Sequence, residues 1–287
     1  MVTQPLIPCI LDAGGIEKMN TQIKERRIWI TGGNSGIGAA LAEACARRGA
    51  RCVLSARNEG SLEEVAALLN RRYGEGTAET IPLDLTERDS IERAAGRVET
   101  GPPVDILINN AGVSQRTLFA DTAPEVLERL IAVNLTGHIL LSRRVLPRML
   151  ERKGGTIVGV SSLAGLVPSP MRAGYCAAKR GLLGFYESLR IELNGTGVRV
   201  MTVIPGFVRT EISRNALEGD GSLHAVMDPN QARGVNSEKC AEDILAGLRQ
   251  GRTAVYTGMG MKGRTAMFLR RWLPGLLDAI ILKSEVT

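Results

Sequence analysis

Along the chain, short runs that are apolar at almost every position alternate with longer stretches that are apolar only at every third or fourth. The short runs are "RIWIT", "RCVLSA", "AETIPLDL", "VDILINNAG", "GTIVGVSS", "VRVMTVIPG" and "TAVYT". A strand that is apolar on both faces must be covered on both, which places these runs in a buried parallel sheet. Between them, "ALAEACARR", "SLEEVAALLNRRY" and "APEVLERLIAVNLTGHILLSRRVLPRMLER" show helical periodicity where right-handed crossovers need helices. The pattern predicts an α/β fold, a single doubly wound Rossmann-type domain with a parallel sheet of about seven strands and helices on both faces. No Pro/Gly/Ser linker, internal repeat or low-complexity tract interrupts it.

The rhythm also sets boundaries. It begins near Lys24, so residues 1–24 read as a poorly ordered N-terminal extension, with Met19 as an alternative start. Residues 25–257 form the Rossmann-type domain. Within it, "GFVRTEISRNALEGDGSLHAVMDPNQARGVNSEK" spans about 30 residues between a strand and a helix, the length of a lid or binding loop, and a substrate lid is placed near 206–237. Residues 258–287, with "KGRTAMFLRRWLPGLLDAIILK", form an apolar, basic helical tail. Pro274-Gly275 interrupts it, so it falls short of a spanning helix of about 20 apolar residues. Two readings stay open: docking on the core or on a second copy, or lying in a membrane interface with Trp272, Arg270 and Arg271 at headgroup level.

Composition narrows the function classes. With 287 residues, 44% hydrophobic and 23% charged, the chain has a globular balance, and at 3% aromatic its core must be aliphatic. The net charge of +6 is spread among interleaved acids, which argues against nucleic acid and suits a phosphate-bearing small molecule or an anionic membrane surface. Five cysteines without metal-ligand spacing and two histidines exclude a disulfide framework and a metal site. The N-terminus "MVTQPLIPCILDAGG" lacks a basic flank and is broken by Pro5 and Pro8, a poor secretion signal. The expected location is therefore cytoplasmic, with the tail as the route to a membrane surface.

The first strand runs into "TGGNSGIG", where Gly32, Gly36 and Gly38 precede a helix. There backbone N–H groups and the helix dipole can hold a pyrophosphate, and a Cβ would keep it away. The spacing G-x-x-x-G-x-G departs from G-x-G-x-x-G, and Ala39-Ala40 follow where a P-loop needs Lys and Ser/Thr, so NTP hydrolysis lacks its charged partner. A purely conformational glycine turn is the competing reading. A dinucleotide site expects an acid about 20 residues on for the ribose, or an Arg for a 2′-phosphate. "LSARN" supplies Arg57, which favours NADP(H) over NAD(H), with Glu59 the nearby counter-argument. Further on, Ser162 precedes Tyr175 by thirteen residues, and Tyr175 and Lys179 stand one helical turn apart.

Together "TGGNSGIG", "NNAG", Asn134 in "VNLTG", Ser162, "YCAAK" and "PGFVRT" resemble the short-chain dehydrogenase/reductase family in order and spacing, over roughly residues 26–256. "NNAGVSQRTLF", "RAGYCAAKRGLLGF" and the basic tail resemble its dehydrogenase/reductase 7 group, relatives of 11β-hydroxysteroid dehydrogenase. That resemblance implies an NADP(H)-dependent oxidoreductase acting on a hydrophobic or lipid-like ketone or aldehyde, and a homodimer or homotetramer built through the helices near 123–151 and 173–194. It also implies membrane anchorage in some relatives, which here would fall to the tail.

The implied roles are chemically coherent. Tyr175 protonates the carbonyl oxygen, and Lys179 with the positive nicotinamide draws its pKa down from about 10. Two units of lowering take about 2.7 kcal/mol. Ser162 steadies the oxygen, with Ser161 the alternative donor. Asn134 holds a water that connects Lys179 to solvent, or else simply bonds its helical neighbours. Lys179 and Tyr175 also meet the cofactor. The remaining nucleotide contacts are Thr31, Asn34, Ser35 and Ile37 at the turn, Asp84 at the adenine amino group with Leu85, Asn110, Ala111 and Gly112 along the adenosine, and Pro205, Gly206, Val208 and Thr210 toward the carboxamide. His138, in "TGHILLS", reads as a packing or interface residue. A non-catalytic NADP(H) sensor or scaffold is the rival function.

Overall fold

A computed structural model describes residues 23–283. Except for Ile23 and Lys24, the expected N-terminal extension and its alternative start at Met19 lie outside these residues. The first half alternates strand and helix: β1 Arg27–Thr31, α1 Gly36–Ala46, β2 Arg51–Ser55, α2 Glu59–Tyr73, β3 Ala78–Thr80, α3 Arg88–Glu99 and β4 Ile106–Asn109. There follow α4 Pro124–Ile131, a π-helical turn Ala132–Thr136, α5 Gly137–Glu151, β5 Gly155–Val160, α6 Ala173–Glu192 and β6 Val198–Pro205. The chain closes with α7 Pro229–Ala232, α8 Ser237–Arg249, β7 Ala254–Thr257, α9 Gly260–Trp272 and α10 Pro274–Lys283.

The strands form one seven-stranded sheet in the order β3-β2-β1-β4-β5-β6-β7, and every pairing is parallel. The expected doubly wound architecture is thus what the residues build. Alternation along each strand feeds two cores: Ile28, Ile30, Cys52 and Leu54 point to the layer of α1, α2 and α8, whereas Trp29, Val53 and Leu107 point to that of α3, α5 and α6. Burying both faces is what selects runs apolar at every position. The register Thr31↔Ser55 and Ile30↔Ile108 aligns the carboxyl ends of the central strands, so the loops leaving them share one edge.

The tail is two helices, α9 and α10, broken where the sequence places Pro274. Met259 and Met267 pack with Leu163 and Leu166, and Gly263 lies against Leu163, so the start of α9 covers the segment after β5. Beyond that contact Phe268, Trp272, Leu276 and Ile280 are exposed. No described helix is long and apolar enough to cross a membrane.

Candidate active site

The glycine turn connects β1 to α1. Gly32 has φ +65° and Gly36 φ +52°, left-handed conformations that a side chain resists. At Gly38 the constraint is space, since a Cβ would stand 2.0 Å from the Gly32 carbonyl oxygen. Ser35 makes no side-chain cap and no acid occupies the first turn of α1, which leaves its N–H groups and positive dipole end uncompensated. Ile37 packs on the adjoining core, and Asn34 Nδ2 donates to Ser61 Oγ at 2.9 Å, tying the turn to α2. Thr210 closes over the turn from the far side, 3.1 Å from where a Gly36 Cβ would be.

Arg57 lies exposed just beyond β2, with no hydrogen bond or ion pair among the described residues. Asp84 Oδ1 accepts from Thr86 N at 2.8 Å and Thr86 Oγ1 at 2.7 Å, which leaves Oδ2 open, while Leu85 is buried. Pro205 ends β6, and Gly206 meets Gly258 so closely that a Cβ would lie 2.4 Å from its carbonyl oxygen. The Val208 side chain is in the core, so only its main chain can face the groove.

The chain leaving β4 is pinned residue by residue. Thr31 Oγ1 accepts from the N–H groups of Asn110 and Ala111, each at 3.0 Å, and Asn110 Nδ2 donates to the Thr31 carbonyl at 2.9 Å. His138 reaches the Ala111 carbonyl from α5 through Nε2 at 2.8 Å. A carbonyl only accepts, so Nε2 carries the proton. Burial lowers the pKa of His138 to about 3, with the charge of Lys179 acting in the same direction, and the ring is neutral. Gly112 has no side chain where a Cβ would meet Asn134 Oδ1 at 2.8 Å and Lys179 Nζ at 3.3 Å.

Asn134, Ser162, Tyr175 and Lys179 converge on this edge. Asn134 sits in the π-helical turn, where Nδ2 donates to the carbonyls of Val113 at 2.9 Å and Leu130 at 3.0 Å and Oδ1 accepts from Val113 N at 3.2 Å. Both amide donors are spent on the backbone, one on a helical neighbour and one on the segment after β4. Ser162 Oγ accepts from Ala164 N at 3.1 Å and is near enough to the Tyr175 phenol to pull its pKa down, whereas Ser161 Oγ turns away to donate to the Lys179 carbonyl at 2.8 Å. Lys179 Nζ donates to the Val160 carbonyl at 3.0 Å and stands 5.8 Å from the centroid of the Tyr175 ring.

Within the chain itself the Tyr175 pKa is raised, whereas the lowering implied by the family resemblance counts the positive nicotinamide as well as Lys179. Burial is the largest influence, outweighing Ser162 and the charge of Arg172. Lys179 is buried as well, and burial lowers its own pKa to about 7.

Residues not expected from the sequence complete the site. Gln115 Oε1 accepts from Gly174 N at 3.0 Å and Tyr175 N at 3.3 Å, so a buried amide fixes the start of α6 and with it the catalytic candidate. Arg116 and Arg172 flank Gln115 and Tyr175 and both reach Asp228. "VSQR" and "PSPMR" carried no periodic or spacing signal, because their role depends on two distant loops meeting. Behind Ala111, Asn109 Nδ2 donates to Ser142 Oγ at 2.9 Å and Tyr186 Oη at 2.8 Å, extending a buried polar network away from the cleft.

A parallel sheet, a glycine turn at its carboxyl edge and a Ser-Tyr-Lys cluster beside it define a nicotinamide-dependent oxidoreductase of the short-chain type. Residues 26–221 match the short chain dehydrogenase family, and the chain belongs to that family. Dehydrogenase/reductase SDR family member 7B of Bos taurus is 35% identical over 264 residues, covering 90% of this chain and 81% of the relative. A short-chain dehydrogenase from Sphingobium yanoikuyae in complex with NADPH superposes with TM-score 0.74 at 29% identity, covering 91% of this chain and 96% of that one. A Burkholderia phymatum member in complex with NAD superposes at 0.78 with 23% identity, covering 93% and 98%, and speaks to the fold alone. The dehydrogenase/reductase 7 likeness read from the motifs is thus matched among known proteins.

The buried lysine has a measurable signature. Its pKa falls from 10.5 to about 7 on folding, so between those values the unfolded chain binds more protons than the folded one. Stability contributed by this group therefore rises with pH from about 7 and levels off above 10.5. The unfolding free energy of wild type minus that of Lys179→Met, from urea titrations at several pH values, should increase across this window; a flat difference would rule out the lowered pKa.

Proposed function

We propose that the chain is an NADPH-dependent carbonyl reductase, or the alcohol dehydrogenase of the reverse direction, for hydrophobic or lipid-like ketones and aldehydes. The observation that carries this reading is Ser162 close enough to the Tyr175 phenol to influence it, with Lys179 one turn along α6 at the edge of the nucleotide turn. A binding module has no use for such a proton-transfer cluster.

The residues fit a nicotinamide dinucleotide. Left-handed Gly32 and Gly36 and the uncapped start of α1 suit its pyrophosphate, Asp84 Oδ2 its adenine amino group, and Asn110, Ala111 and Gly112 the wall along its adenosine. Unpaired Arg57 suits a 2′-phosphate, and the similar Sphingobium yanoikuyae structure holds NADPH. When bound, the reduced cofactor supplies the hydride for the carbonyl carbon and, once oxidised, a positive charge. Tyr175 Oη gives its proton to the carbonyl oxygen, and Ser162 Oγ donates to that oxygen as negative charge builds on it. Lys179 holds the ribose hydroxyls and, as ammonium, stabilises the phenolate left behind. Asn134 orders the segment that Lys179 packs against. Exposed Leu118, Phe119, Leu223 and Val226 suit an apolar substrate beneath a lid near 206–237.

Association of copies through the outer faces of α5 and α6 belongs to the same reading. So does attachment of the tail to a membrane surface, supported by exposed Phe268, Trp272, Leu276 and Ile280 beside Arg270 and Arg271.

Tyr175→Phe should retain NADPH affinity and lose about 10²–10⁴-fold in kcat on a panel of apolar ketones. Near-normal rates would overturn the mechanism, and tight NADPH binding without turnover of any carbonyl in wild type would favour a sensor. In Arg57→Asp the preference for NADPH over NADH in kcat/KM should fall about tenfold or more, the loss of one charge-assisted contact; an unchanged ratio would remove Arg57 from the 2′-phosphate. The full chain should sediment with phosphatidylserine vesicles and be released by Trp272→Asp with Arg270→Glu, whereas equal sedimentation of both would leave the tail without a membrane role.

A further inference from the structure

Beside the start of α6 lies a cavity of about 150 Å³, lined among others by Arg116, Arg172, Ser213, His224, Met227 and Asp228. A single water occupies about 10–15 Å³ on the same scale, so the space admits a polyatomic group. Arg116 enters from the segment after β4 and Arg172 from the residue preceding α6, three positions before Tyr175. Both guanidinium groups converge on one atom: Asp228 Oδ2 lies 3.1 Å from Arg172 Nη2 and 3.7 Å from Arg116 Nη1.

Only Arg172 is within hydrogen-bond distance of that oxygen. The other carboxylate oxygen, Oδ1, is engaged by Asn230 N at 2.8 Å and Gln231 N at 3.2 Å at the start of α7. The Arg116 side chain is only 10% exposed, and its guanidinium makes no hydrogen bond among the described residues. Arg172 Nε is buried and without a partner there. His224, also on the wall, has its Nδ1 on Glu218 Oε1 at 2.5 Å, and Glu218 does not line the space. Two cations therefore face one shared anion in a half-enclosed cavity whose remaining walls include Ala216, Val226 and Pro229. Buried donors left unmet are costly, and the flat guanidinium fork is matched by the paired oxygens of a carboxylate, phosphate or sulfate.

We propose that this cavity seats an anionic substituent, a carboxylate, phosphate or sulfate, of the molecule that binds over Tyr175, with Arg116 and Arg172 as its donors. The proposal rests on Tyr175 facing the reacting carbonyl, and it changes the substrate class from a simple apolar ketone to an amphiphile with a charged end. The cavity lies near the reacting group: Arg172 on its wall caps α6 three positions before Tyr175, and its charge acts on the phenol. The ligand's oxygens take the donors that Asp228 leaves over.

Calorimetric titration of the full chain with decanoate, decyl phosphate and decanol tests the seat without depending on turnover. At least one anion should bind about tenfold or more tightly than decanol, and Arg116→Gln and Arg172→Gln should each remove most of that preference. Asp228→Asn, which keeps the α7 cap while deleting the competing charge, should increase it, so the idea remains testable if an arginine variant fails to fold. Inorganic phosphate binding as tightly as decyl phosphate would mean a free anion and overturn the substituent. Equal affinity for anion and alcohol, or a preference indifferent to all three substitutions, would overturn the seat. A parallel comparison of kcat/KM for an oxo fatty acid and its methyl ester separates the two readings. Anion preference without turnover sinks the reductase reading alone, and turnover without anion preference sinks the seat alone.

Discussion

A chain leaving the middle of a parallel sheet must satisfy its backbone polar groups without the ladder that satisfied them inside. At residues 110–113 five of these groups are met by side chains from three parts of the protein. The Thr31 hydroxyl takes two N–H groups, His138 supports the Ala111 carbonyl, and Asn134 holds both polar atoms of Val113. The partners come from β1, α5 and the π-helical turn, and the bare Cα of Gly112 lets Lys179 approach from α6. Meeting a local hydrogen-bond deficit thus assembles the cleft, because it draws the nucleotide turn and the proton-transfer residues to the same few backbone atoms.

Electrostatics follows from that crowding. His138 and Lys179 are both buried and both biased toward neutrality, and the tyrosine beside them is biased toward its protonated form. The chain by itself therefore biases its cluster toward the uncharged state, as expected of groups desolvated together. A carbonyl reduction asks for a proton donor that is reluctant to ionise until negative charge appears on substrate, and a protonated, buried phenol meets that requirement. Charges at the edge of the cluster, Arg172 among them, then bias the equilibrium without entering the core.

The fold was almost wholly legible in the sequence, because a sheet covered on both faces leaves its strands apolar at consecutive positions and no other common architecture does. "RIWIT" and "VRVMTVIPG" could be placed as strands for that reason alone. The site was legible where chemistry is local: the glycine turn, and Tyr175 with Lys179 one turn apart. It was not legible where function arises from loops that meet in space. Gln115 reads as one more polar residue until its amide is seen capping α6, and Arg116 and Arg172 look like surface charges 56 residues apart until Asp228 gathers them. The upward pull of burial on the Tyr175 phenol was not legible either, because a list of neighbouring charges says nothing of how deeply each is buried.

The π-helical turn at Ala132–Thr136 carries one residue more per turn than the helices on either side of it. Asn134 faces Val113, and His138 faces Ala111, only because that extra residue shifts the phase between α4 and α5. Losing a single residue there would restore an ordinary helix and rotate everything after it by about 100°. Hydrophobic pattern and composition would barely change, yet both side chains would swing off the backbone they support. The cleft is in this sense encoded by counting as much as by chemistry, and chain length in this helix is under the same constraint as the identity of its polar residues.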